Sequence, residues 1–162
     1  MHETADDLVD LQRLLDESYA AAGNHLRRIF TEERRVAADR LPAELTGVQV
    51  LSLATVTAAG EPRVGPVDGL FFRGRLHFGS AHDSARFRNL RARPAVSAAV
   101  IRGESFAVIV HGTARELDMG APEQQGFGDY CREVYGEGWE QWAADSPYAR
   151  IEPVKMFTFG AG

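Results

Sequence analysis

The sequence holds one cysteine, Cys131, and one lysine, Lys155. A lone thiol excludes a disulfide framework within the chain, and a reducing, cytoplasmic location is expected. Basic residues fall short of acidic ones, 18 against 23, leaving a formal charge of −5. That balance predicts no general nucleic-acid role, which would need a basic face. No apolar stretch approaches the roughly 20 residues of a membrane-spanning helix, and no basic–apolar–small leader pattern opens the chain. No membrane partner is expected. The five histidines (His2, His25, His77, His82 and His111) make no pair at metal-ligand spacing, and Cys131 has no CxxC partner, so no metal site is expected. GxSxG, GxGxxG and P-loop patterns are absent, as are internal repeats and low-complexity tracts.

What is there describes an ordinary globular chain. Of the 162 residues, 44% are apolar and 25% charged. That length predicts one domain, 1–162, able to bury a real core, with a helical N-terminal extension over 1–40 and a β domain over 46–160. The other basic residues are arginines, a bias read mainly as genomic, though their planar forks also suit phosphate and carboxylate.

Leu8, Leu11, Leu14, Leu15 and Tyr19 recur at i, i+3, i+4 spacing. They predict a helical region over Asp6–Arg40, with a break at Gly23-Asn24. Leu41-Pro42 ends that region. Gln49–Val56 reads as a strand, bounded by a turn at Ala59-Gly60-Glu61-Pro62. Leu70–Phe72 and Leu76–Phe78 flank Arg73-Gly74-Arg75 as a tight hairpin. Asp83 or Ser84 can cap a short helix through Leu90. Ala95–Arg102 and Phe106–Leu117 read as strands, and Gly112 suggests a bulge or a close backbone approach. Glu123–Trp142 reads as one or two helices with Phe127, Tyr130, Cys131, Val134, Tyr135, Trp139 and Trp142 inward. Val154–Phe159 alternates as a last strand. Most links are too short for parallel crossovers, so the pattern predicts a small antiparallel barrel with peripheral helices, an α+β arrangement.

Two stretches can carry chemistry. In Ser84-Ala-Arg-Phe-Arg-Asn-Leu90, a helix N-terminus bears a hydroxyl and the arginines Arg86 and Arg88. Such a terminus attracts anions, and arginine binds phosphate oxygens in bidentate fashion. Its plainer reading is a solvated helix face with a capping serine. In Gly65-Pro66-Val67-Asp68-Gly69, two glycines bracket a segment whose backbone a flat ligand can reach. Its plainer reading is a strand bend. His82, in the polar loop before Ser84, is a further candidate beside a ligand, or a loop-exposed bystander.

Three segments, LATVTAAGEPRVGPVDG, GRLHFGS and SARFRNLRARPAVSAAV, together resemble the FMN-binding split-barrel family related to pyridoxamine 5′-phosphate oxidase. That family reads LATV-x-x-x-G-x-P, then G-x-L-x-F, then S-x-K/R-x-x-N-L followed by N/R-P-x-V. The match covers residues ~46–117 as an ordered set. Tyr148–Pro153 is similar to the closing strand of actinobacterial members, a group with flavin and deazaflavin (coenzyme F-420) oxidoreductases. The resemblance implies a six-stranded antiparallel split β-barrel and a homodimer with cofactor sites at the subunit interface. It implies a phosphate held by Ser84 and Arg86. It runs the backbone of Gly65, Pro66, Val67, Asp68, Gly69 and Leu70 along the isoalloxazine, with Phe78, Gly79 and Ser80 contributing.

The sequence departs from the oxidases themselves. Gly65–Gly69 stands where they carry an arginine-plus-lysine pattern, and their C-terminal Arg-x-His type motif is missing. The long N-terminal helix is also atypical of a minimal member. The expected function is an FMN-dependent oxidoreductase of unknown substrate, with catalytic residues unassigned. The alternatives are a deazaflavin-dependent reductase, whose acidic tail Arg27, Arg28, Arg34 and Arg35 can meet, a non-catalytic flavin or haem binder, and a relative that has lost its cofactor.

Overall fold

The computed structural model describes residues 1–160. Thr4 opens the first helix, α1 (Ala5–Ala20), with a reciprocal cap. Its hydroxyl accepts from the Asp7 N–H, and the Asp7 carboxylate accepts from the Thr4 N–H. Leu11, Leu15 and Tyr19, four residues apart, form its buried stripe.

Past Gly23 the helical region expected to reach Arg40 is broken into short pieces. They are α2 (Asn24–Ile29), a 3-10 turn at Glu32–Arg34 and α3 (Leu41–Glu44). The reason is tertiary. The Val36 N–H donates to Thr158 Oγ1, and that hydroxyl donates back to the Val36 carbonyl, so the chain spends its hydrogen bonds on the barrel.

Six strands follow: β1 (Gln49–Val56), β2 (Pro62–Phe72), β3 (Arg75–Gly79), β4 (Ala95–Arg102), β5 (Phe106–Glu116) and β6 (Tyr148–Gly160). They pair antiparallel in the order β1-β2-β3-β6-β5-β4, and β4 closes onto β1. The fold is thus the expected six-stranded antiparallel barrel with peripheral helices and a long N-terminal helix. Alternate residues fill the interior: Leu51 and Leu53 from β1, Val67 and Phe71 from β2, Val108 and Val110 from β5. α3 and the residues flanking it contribute Val36, Leu41 and Leu45 to the same core.

The β2–β3 hairpin has a two-residue turn, Arg73 (φ 48°) and Gly74 (φ 74°), the left-handed pair whose twist matches the strands. The last strand is thirteen residues long, well beyond Val154–Phe159. It spans the register shift between His111 and Gly112, where a side chain on Gly112 would sit 2.1 Å from the Glu152 carbonyl oxygen. So Gly112 marks both a bulge and a close approach.

α4 (Ala85–Ala92) joins β3 to β4. α5 (Gln125–Tyr135) and α6 (Trp139–Ala143) lie between β5 and β6. Together with the outer face of β2 they build a second apolar cluster, with Leu70 and Phe72 against Phe127, Tyr130 and Cys131. Among the described residues no helix is long and apolar enough to cross a membrane, and no His/Cys/Asp/Glu group is placed to hold a metal.

Candidate functional site

The site is a consequence of strand length. β3 pairs with β2 only from Gly69 onward, so Pro62–Asp68 of β2 has β1 on one side and, among the described residues, no strand on the other. Backbone groups alternate sides along a strand. Phe72 closes the hairpin with Arg75, and the same parity turns the carbonyls of Pro66 and Asp68 to the open edge. Proline is tolerated there because an edge asks no N–H of it.

A cleft of about 760 Å³ lies along this edge. Pro66, Val67 and Asp68 form one wall, and Gly79 and Ser80 at the end of β3 form the floor. Arg86 reaches in from α4. The opposite wall is aromatic: Tyr135, Trp139, Trp142 and Tyr148. Val50 of β1 sits at the margin.

Arg86 is the chemical centre. Its Nη1 donates to Ser80 Oγ at 3.1 Å and its Nη2 to the Pro66 carbonyl at 2.8 Å. It makes no ion pair among the described residues. Partial burial pushes its pKa down, the mark of a cation short of counter-charge. α4 holds it in place. Phe87 and Leu90 are buried in the barrel core, Asn89 Nδ2 donates to Thr55 Oγ1 at 3.1 Å, and Arg91 donates to the Glu116 carboxylate and the His82 carbonyl.

Ser84 caps α4. Its hydroxyl accepts from the Phe87 N–H at 3.3 Å, and it does not line the cleft. The N–H groups of Ala85 and Arg86 then remain as first-turn donors without intrahelical acceptors.

The candidates from the sequence therefore divide. Pro66, Val67, Asp68, Gly79, Ser80 and Arg86 come together around the cleft. Gly65 adjoins it, its α-carbon facing the Arg86 guanidinium. Gly69, Leu70 and Phe78 are buried. The Leu51 side chain lies over Gly69, Leu70 packs beneath α5, and Phe78 packs on Phe87 inside the barrel. His82 is exposed and lies outside the cleft.

Tyr135, Trp139 and Trp142 were expected to face inward. Tyr135 and Trp142 instead keep 37% and 52% of their surface exposed, facing the cleft. Trp139 is buried, and its Nε1 donates to the Tyr148 hydroxyl at 2.9 Å. The available signal was both tryptophans crowded beside Gly136 and Gly138, a density an ordinary docking helix does not require. Burial first, then the charge of Asp68, pushes the Tyr135 phenol up to about 12. Burial likewise raises the Tyr148 phenol and holds the Cys131 thiol at about 12, far from reactive.

Comparison with known proteins bears on this geometry. A family model described as pyridoxamine 5′-phosphate oxidase matches residues 37–156. No curated protein matches. Among solved structures, a FAD-binding protein from Mesorhizobium loti aligns with TM-score 0.62 at 23% identity, over 80% of this chain and 98% of the other. HutZ, the haem storage protein from Vibrio cholerae, aligns with TM-score 0.65 at 21% identity, over 75% and 95%. An F420 reductase aligns with TM-score 0.54 at 20% identity, over 71% and 94%. At these identities the structural likeness speaks for the fold.

Proposed function

The chain belongs to the pyridoxamine 5′-phosphate oxidase family, and from that premise we propose that it is a flavin-dependent oxidoreductase binding FMN in this cleft. The observation that carries the reading is Arg86. It is a partly desolvated cation without an acidic partner among the described residues, aimed between a strand edge and a helix start. A phosphate there would gain its charge-assisted bonds, the Ser80 hydroxyl and the free α4 amides.

The residues fit the cofactor. The volume lies within the range of cofactor pockets. The open edge of β2 presents backbone to a flat ring, and the aromatic wall supplies the facing surface. Bound FMN would supply hydride acceptance and donation. The chain's own part is to hold the phosphate with Arg86 and Ser80, align the ring along Pro66–Asp68, and shield it with Trp142 and Tyr148. No acid or base of the protein is asked to act.

FMN is favoured over the deazaflavin coenzyme by the position of the arginines proposed for an acidic tail. Arg34 stacks over Phe159 and Arg35 over Tyr19. Phe159 and Tyr148 lie near opposite ends of β6, so these two arginines sit at the far end of the strand from the cleft. It is favoured over haem because, among the described residues, no histidine, cysteine or methionine lines the cleft, and burial holds the phenols of Tyr135 and Tyr148 protonated, which makes them poor iron ligands.

We further read the protein as a homodimer. Val50, Val64 and Ile101 are exposed on one outer face across β1, β2 and β4. Val50 also edges the cleft, so a partner on that face would wall the site. The visible spectrum of purified protein, followed by titration with FMN, deazaflavin coenzyme and haem, tests the cofactor. Binding of the deazaflavin alone would overturn the assignment.

A further inference from the structure

The cleft is electrically two-ended. Among the described residues, Arg86 is its one basic lining residue and Asp68 its one acidic one. Side chains alternate along β2, so Asp68 points outward with Pro66 and Leu70, toward the aromatic wall. Its carboxylate has no hydrogen-bond or ion-pair partner among the described residues. The Tyr135 hydroxyl and the Trp142 indole N–H, lining the same cleft, have none either. A carboxylate beside several aromatic faces attracts a flat cation, by charge and by the ring quadrupoles. Among the described residues of one chain, the only cation lining the cleft is Arg86, already assigned to the cofactor phosphate, so none is left to receive a phosphorylated or carboxylated substrate.

We propose that the Asp68 end of the cleft, walled by Tyr135 and Trp142, binds a planar aromatic cation that carries no phosphate. This is the substrate class of the flavin site proposed above and rests on that reading. Asp68 faces the positive charge, and Trp142, half-exposed and edge-on to Tyr148 at 6.1 Å between ring centres, covers the arene.

The test is calorimetric titration of FMN-loaded protein with N-methylquinolinium, with neutral quinoline and with 2-naphthoate. FMN affinity is measured separately by flavin fluorescence. The cation should bind about tenfold or more tighter than quinoline, and the anion not at all. Asp68→Asn, titrated at saturating FMN so that any change in cofactor affinity is allowed for, should remove the preference. Trp142→Leu should weaken both arenes and leave their ratio. Equal affinity for quinoline and its cation, or a preference that survives Asp68→Asn, overturns the proposal. Protein that takes up no FMN yet keeps an Asp68-dependent preference, read by its two tryptophans, would sink the flavin reading and leave the cation site standing.

Discussion

The Tyr19 hydroxyl donates to the Thr158 carbonyl at 2.6 Å and accepts the Thr158 N–H at 2.7 Å. One phenol thus satisfies both backbone groups of a strand residue. It is needed because β3 pairs with β6 only at Tyr148–Arg150, leaving the rest of that edge of β6 without a strand among the described residues. α1 takes the missing strand's place, and Ser18 Oγ accepts the Met156 N–H at 2.9 Å one ladder step away. The N-terminal helix is therefore part of the barrel's closure.

Tyr19→Phe tests this. It keeps the ring on Phe157 and orphans two buried backbone groups. The expected cost is about 1–3 kcal/mol in urea unfolding. A change below about 0.5 kcal/mol would show that water serves the edge as well as the phenol does.

Arg86→Ala should weaken FMN binding by about 1.5–3 kcal/mol, the scale of a lost charge-assisted contact to phosphate. Arg91→Ala should cost much less, since Arg91 lies outside the cleft and acts on the Ser80–Ser84 loop only through the His82 carbonyl. Fluorescence titration of both variants separates the roles. Equal losses would move the phosphate away from the α4 terminus.

Val50→Glu and Ile101→Glu place charge on the exposed face of β1 and β4 without touching the barrel interior. Each should yield monomer in sedimentation velocity and release FMN with dissociation, because partner and ligand stabilise the same assembled state. Monomer that keeps full FMN affinity would refute the placement of the cofactor beside that face.

Local patterning made the barrel legible. The Leu51/Leu53 alternation, the Arg73-Gly74 turn and the bulge signal at Gly112 each name a local geometry that survives packing. The candidate site was half legible. Pro66 and Arg86 stand in motifs, but the edge that exposes them arises from β3 being short, a property of pairing that no window of sequence displays. Tyr135 and Trp142 were misplaced because inward and cleft-facing aromatics share one helical period. The run past Gly23 was overextended because Val36 is claimed by Thr158, 122 residues away.

His77 supplies a prediction in pH. It is 3% exposed on β3, stacked on Phe127 at 4.2 Å, with Nδ1 3.1 Å from the Arg75 carbonyl. Burial pushes its pKa down to about 3, helped by the charges of Arg150 and Arg75. In the unfolded chain it titrates near 6.5. Between those values the unfolded state binds a proton that the folded state refuses, so stability is lost as pH falls. The full contribution is present above about 6.5 and declines toward 3, by up to about 1.4 kcal/mol per pH unit. Salt-bridged carboxylates such as Glu116, held low first by its hydrogen bond from Arg91, act in the same sense. Only the difference between wild type and a variant therefore isolates the histidine. His77→Phe keeps an aromatic ring on Phe127 and removes the titrating group. Urea midpoints across pH 4 to 7 should fall less steeply for His77→Phe than for wild type. Parallel slopes would mean that His77 takes up its proton in the folded barrel at little cost, which its packing between β3 and α5 argues against.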